Sequence, residues 1–220
     1  MPVSETRGAL FQSGNLRIKI CGITNPEDAG MAARAGADAI GINLFPGSKR
    51  FVEIADVCDW LREVPVTRVA VVVNASADLL ARVQEAGVFD AVQFHGDETP
   101  ELCATCALPW LRAVRVSGQE ALDAAMGYAT SDLLLDAHSA AGYGGTGAML
   151  DLDLAAEFVR AHRDRRVLIA GGLRPETVAA AVRVVRPHGV DVASGVESEG
   201  NPRRKDPARV RAFIDQARGA

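Results

Sequence analysis

Aromatic residues make up only 5% of this 220-residue chain, and no block of basic residues accompanies them. Nucleic-acid binders carry a basic footprint, usually with stacking aromatics, so no nucleic-acid partner is expected. The formal net charge of −4 points the same way. No stretch approaches the roughly 18 consecutive apolar residues of a membrane span, so no membrane partner is expected either. Residues 1–15 are mixed and polar and lack an apolar signal core. They read as a flexible extension ahead of a cytoplasmic domain over residues 16–220. Cysteine is scarce too: Cys21, Cys58, Cys103 and Cys106 are the only four. Cys103 and Cys106 form a CxxC, but no second CxxC and no HxxxH accompanies it, so no metal is expected.

What the chain does have is apolar residues, 48% of the total. They fall in eight short runs, at 17–20, 39–43, 68–73, 91–94, 111–116, 133–136, 167–170 and 191–193. These runs are rich in Val, Ile and Leu, too short for helices, and continuous rather than alternating. That is the mark of strands buried on both faces of a parallel sheet. Amphipathic stretches lie between them, at 26–35, 54–63, 77–86, 100–107, 119–126, 152–161, 175–185 and 207–218. Asn25-Pro26 and Arg174-Pro175 put proline where a first helical turn tolerates it. Gly36-Ala37-Asp38, Gly87-Val88-Phe89-Asp90 and Gly189-Val190-Asp191 are similar phrases that end a helix and enter a strand. Eight βα units in about 200 residues close naturally as a (β/α)8 TIM barrel, an α/β single domain. An open doubly wound sheet is the alternative.

Active sites of such barrels lie at the C-terminal ends of the strands. Strand one ends at Cys21, in Lys19-Ile20-Cys21-Gly22-Ile23-Thr24. A thiol there is well placed to move a proton, although a buried structural cysteine is the plainer reading of that motif alone. The loop after strand two carries Ser48-Lys49-Arg50, strand four runs into His95, and strand six ends at Asp136. Gly171-Gly172 and Ser194-Gly195 follow strands seven and eight, the usual place for a phosphate in this fold. Either pair alone could simply make a tight turn, but together they point to phosphate binding. Gly144 and Gly145 lie in a long glycine-rich loop after strand six, which reads as a lid, and they count with the phosphate-binding glycines. No Gly-Lys-Ser/Thr follows them, so this is not a Walker loop.

Five segments together carry a resemblance: Lys19-Ile20-Cys21-Gly22-Ile23-Thr24, Gln93-Phe94-His95-Gly96-Asp97-Glu98, Asp136-Ala137 with the glycine-rich loop, Ala170-Gly171-Gly172-Leu173, and Asp191-Val192-Ala193-Ser194-Gly195-Val196-Glu197. In this order and register the chain resembles the phosphoribosylanthranilate isomerases from about residue 16 to its end. The resemblance implies a cofactor-independent aldose–ketose isomerase of tryptophan biosynthesis. Its reaction is the Amadori rearrangement of N-(5′-phosphoribosyl)anthranilate to 1-(2-carboxyphenylamino)-1-deoxyribulose 5-phosphate. Cys21 is then the general base and Asp136 the general acid. Arg50 faces the anthranilate carboxylate, and His95 and Asp191 line the substrate site. The expected partner is a phosphorylated small molecule, and the protein is a monomer or homodimer. Some positions depart from the family pattern: Asn43 in place of a large apolar residue, Lys49 in place of proline, and Asp151-Leu152 where tryptophan is frequent. The 198–204 segment is also longer and more charged. Another phosphosugar barrel enzyme would share the phosphate glycines without needing Cys21 and Asp136. A non-catalytic phosphometabolite-binding barrel would not need that pair either.

Overall fold

The computed structural model describes residues 14–137 and 149–220. Eight parallel strands close into a barrel in simple sequential order: β1 (Arg17–Cys21), β2 (Ala39–Asn43), β3 (Thr67–Val72), β4 (Ala91–Phe94), β5 (Trp110–Val116), β6 (Asp132–Ala137), β7 (Arg166–Ile169) and β8 (Gly189–Val192). Helices alternate with them: α1 (Pro26–Ala35), α2 (Ile54–Leu61), α3 (Ala77–Glu85), α4 (Pro100–Ala104), α5 (Gln119–Ala125), α6 (Leu152–Ala161), α7 (Val178–Val185) and α8 (Pro207–Arg218). The expected (β/α)8 barrel is therefore the observed fold. Among the described residues no helix is long and apolar enough to cross a membrane. The expected extension falls almost entirely on residues 1–13, outside the described residues.

Local chemistry explains the helix ends. Asn25, Ser76, Thr99, Asp151 and Asp206 each accept a backbone N–H of the first turn with their side chain. Two helices fall three residues short of what the periodicity predicts. The α4 helix stops at Ala104, and the Ala107 N–H is taken by Gln84 Oε1 at 2.8 Å. The α7 helix starts only at Val178, because the 174–177 segment closes on itself through Arg174 N–H to Thr177 Oγ1 at 3.1 Å. Cys103 and Cys106 are both fully buried, and burial pushes the Cys103 thiol up to about 12.

Strand alternation sorts the core into two layers. Ile18, Ile20, Ile40, Ile42, Val92, Phe94, Leu133, Leu135, Val167 and Ile169 face the helices. Ala39, Val69, Ala91, Leu111, Ala113, Leu134, Leu168 and Ala170 fill the barrel. The inward parity also carries Lys19, Cys21, Gln93, Asp136 and Asp191, so the polar residues of the barrel interior share one row system with its packing residues. After β8 comes a short 3₁₀ turn at Ser194–Val196. An antiparallel ribbon follows, β9 (Glu197–Ser198) and β10 (Asn201–Lys205). This ribbon is the longer, charged 198–204 segment noted in the sequence.

Candidate active site

The C-terminal mouth of the barrel opens into a cavity of about 660 Å³. Cys21, Asn43, Lys49, Arg50, His95, Asp136, Gly171, Gly172, Asp191 and Ser194 all line it. Six strand ends or the loops just beyond them thus deliver these residues to one space. Of the residues singled out in the sequence, Gly195 does not reach this wall. Its backbone passes so close to Leu173 that a β carbon would sit 2.0 Å from the Leu173 carbonyl oxygen. Gly144 and Gly145 lie outside the described residues.

Cys21 ends β1, and its thiol sits beside Lys19. Both groups need the missing side chain of Gly41 on β2. A β carbon at Gly41 would lie 2.7 Å from Cys21 Sγ and 3.0 Å from Lys19 Nζ. Lys19 is completely buried and donates to Asp191 Oδ1 at 3.0 Å, across the β1–β8 register that pairs the two residues. Removing one member of such a pair leaves an uncompensated charge and costs about 3–5 kcal/mol. Burial opposes the ammonium, but Asp191 and Cys21 outweigh it and hold Lys19 above its ordinary range. Burial also pushes the Cys21 thiol up; Lys19 and Lys205 pull it down, and Asp191 adds to the rise.

Asp136 stands at the end of β6. Its Oδ1 accepts the Ala137 N–H at 2.9 Å, and its Oδ2 lies 3.1 Å from His95 Nε2. The other ring nitrogen of His95 lies 2.8 Å from the amide nitrogen of fully buried Gln93, two residues back on β4. Arg50 donates Nε to Glu197 Oε1 at 2.5 Å, and its side chain crosses the space where a β carbon of Gly22 would be. Gly22 has φ +74, so glycine serves there both for the turn and for the passage of Arg50. Asn43 accepts the Phe45 N–H at 3.0 Å, which sets the start of the β2 loop. Opposite, Gly171 and Gly172 take φ +86 and +67, and a β carbon at Gly171 would lie 2.5 Å from the Ala137 backbone nitrogen. No backbone carbonyl among the described residues accepts the N–H of Gly171 or Gly172. Donors left open in a glycine turn suit a phosphate oxygen. Among the described residues no group of His, Cys, Asp and Glu could hold a metal ion.

Sequence reasoning missed three members of this site: Lys19, Lys205 and Glu197. Lys19 had a signal, a lone charge inside the apolar strand Arg17–Cys21, with Asp191 as its counterpart in β8. Glu197 closes the last of the resembling segments but has no role assigned from sequence, and Lys205 had no signal, because their meeting depends on the ribbon turning back across the barrel mouth.

Comparison with known proteins agrees with this geometry. The family model described as N-(5'phosphoribosyl)anthranilate (PRA) isomerase matches residues 18–216. A curated N-(5'-phosphoribosyl)anthranilate isomerase of Citrifermentans bemidjiense is 44% identical over 204 residues, 92% of this chain and 97% of that protein. One from Myxococcus xanthus is 43% identical over 210 residues, 93% of this chain and 97% of its own. The crystal structure of phosphoribosyl anthranilate isomerase from Thermotoga maritima superposes with a TM-score of 0.82 at 38% identity, covering 93% of this chain and all of the other. The chain belongs to the N-(5'-phosphoribosyl)anthranilate isomerase family.

Proposed function

We propose that the chain isomerises N-(5′-phosphoribosyl)anthranilate in tryptophan biosynthesis, with Cys21 as general base and Asp136 as general acid. One observation carries the residue assignment. A thiol on β1 and a carboxyl group on β6 face the same cavity from non-adjacent strands, with cationic and glycine-lined walls between them. Acid and base on two sides of a bound sugar are what the rearrangement requires.

The chemistry follows from that placement. Asp136 gives its proton to the furanose oxygen as the C1′–O bond breaks, and the amine lone pair forms the C=N bond. Cys21 takes the C2′ proton; the C–H electrons form the C1′=C2′ bond, and the imine electrons return to nitrogen. The enolamine then becomes the ketone by losing its 2′-hydroxyl proton and gaining one at C1′. His95 Nε2–H facing Asp136 favours the carboxylate left after the first transfer. The guanidinium of Arg50 keeps its terminal nitrogens for the anthranilate carboxylate while Nε is held by Glu197. Gly171, Gly172 and Ser194 hold the phosphate through backbone N–H groups. Asp191 acts by fixing Lys19 beside Cys21.

Loss of substrate fluorescence on adding purified protein tests the activity, with Cys21→Ala as control. Turnover that needs both Cys21 and Asp136 supports the reading. Wild-type turnover in the Cys21→Ala protein rejects Cys21 as base. A crystal structure of the isomerase with reduced 1-(o-carboxyphenylamino)-1-deoxyribulose 5-phosphate is 36% identical to this chain, with a TM-score of 0.79, so a bound complex is a realistic goal.

A further inference from the structure

The ion pairs around Cys21 leave one cation over. Lys19 is matched one to one with Asp191 at 3.0 Å. Arg50 and Lys205 share a single carboxylate oxygen, Glu197 Oε1, at 2.5 and 3.2 Å. Beyond them, Arg204 meets Asp28 at 3.5 Å. Among the described residues, the remaining ammonium hydrogens of Lys205 reach only a carbonyl, Ala193 O at 3.1 Å, at the end of β8 and beside β1. The Lys205 side chain is wholly shielded from solvent, where an unmatched cation is costly. Burial holds the Lys205 ammonium below its ordinary range, against the pull of Glu197 and Cys21, and Cys21 is the ionisable group without a fixed charge beside it.

The β9–β10 ribbon is built to deliver this lysine. The Thr24 hydroxyl donates to Arg203 O at 2.7 Å, and Arg203 in turn donates to Phe51 O at 2.7 Å. The Lys205 N–H is held by Asp28 Oδ2 at 2.8 Å. Anchors from the β1 and β2 loops therefore fix the ribbon over the base and over Arg50 together.

We propose that Lys205 is a positioning residue for Cys21: its ammonium is the counter-charge of the thiolate, and through Glu197 it couples that thiolate to the substrate-binding Arg50. The inference rests on the reading of Cys21 as the base. The charged groups facing Cys21 are Lys19 from β1, Asp191 from β8 and Lys205 from the ribbon, with Glu197 and Arg50 behind Lys205; β2 offers only Gly41 and Asn43. Lys205 and Glu197 thus act with opposite signs on one thiol.

The test is the pH dependence of iodoacetamide alkylation at Cys21, followed on its own peptide by mass spectrometry, beside the pH profile of kcat/KM. Lys205→Met should move the alkylation midpoint and the low-pH limb upward by about one unit, a roughly tenfold loss near neutral pH, with KM changed less than kcat. Lys205→Arg should bring both back toward wild type. Glu197→Gln should move them down in pH. A Lys205→Met protein with a lowered melting temperature but unmoved midpoint and limb would make Lys205 merely structural and overturn the proposal. If Lys205→Met does not fold, the opposite shift in Glu197→Gln decides: its absence overturns the proposal too. Cys21→Ser separates the two levels. Wild-type turnover there rejects the base assignment, whereas the alkylation shift reads the Lys205–thiolate coupling directly.

Discussion

His95 Nε2 lies 3.1 Å from Asp136 Oδ2, and the buried amide of Gln93 holds the opposite ring nitrogen at 2.8 Å. An amide N–H on Nδ1 leaves the imidazole proton on Nε2, pointed at the carboxyl group. The ring is therefore oriented from below by a side chain that never sees the cavity.

This orientation predicts a rate effect rather than a binding effect. A hydrogen bond to a charged group contributes about 1.5–3 kcal/mol, so His95→Ala should lower kcat by roughly 10–100-fold. KM should move far less. Steady-state kinetics across the two proteins checks this, and an equal change in KM with kcat preserved would mean that His95 only lines the site.

The phosphate wall gives a second prediction. If the open N–H groups of Gly171 and Gly172 receive the phosphate, inorganic phosphate should compete with substrate. Gly171→Ala should then raise both the substrate KM and the inhibition constant of phosphate. The substitution forces a side chain at φ +86 and 2.5 Å from the Ala137 nitrogen, so the turn has to shift. Inhibition kinetics with a crystal soaked in sulfate reads both effects. Non-competitive inhibition with the anion elsewhere would contradict the placement.

Much of this was legible before any coordinates. Eight apolar runs predicted eight strands because strands buried on both faces are continuous in Val, Ile and Leu. Closure put Cys21 and Asp136 at one mouth once the strand ends were known. The interior salt bridge was half visible: Lys19 stands out between Ile18 and Ile20, but its partner Asp191 is 172 residues away and found only through the β1–β8 register. The ribbon was legible as an oddity and not as a device. Its length and charge stand out against the family pattern, but nothing local says that Lys205 turns inward while Arg203 and Arg204 stay out.

At the other end of the barrel, His188 sets a pH dependence of stability. Its Nδ1 accepts the Val167 N–H at 3.1 Å, which requires the unprotonated nitrogen. Burial, with Arg166 adding to it, holds the ring below its ordinary value. In the unfolded chain it takes up a proton near pH 6.5, which the folded chain refuses. The contribution is thus fully present above about pH 6.5 and is lost as pH falls through the folded value. Melting curves between about pH 7.5 and 5.5 should show a smaller acid-side drop for His188→Gln than for the parent. Parallel curves would remove His188 from the account.

The central claim is that Asp136 and Cys21 divide the proton transfers, and Asp136→Asn tests it most directly. The amide keeps shape and hydrogen-bonding capacity but has no transferable proton. Equilibrium binding of a product analogue and the melting temperature should stay near wild type, while kcat falls by about 10²–10⁴-fold and the acid limb of the kcat/KM profile disappears. A kcat within about tenfold of wild type, a barrier change of roughly 1.4 kcal/mol or less, would show that Asp136 is not the acid and contradict the mechanism.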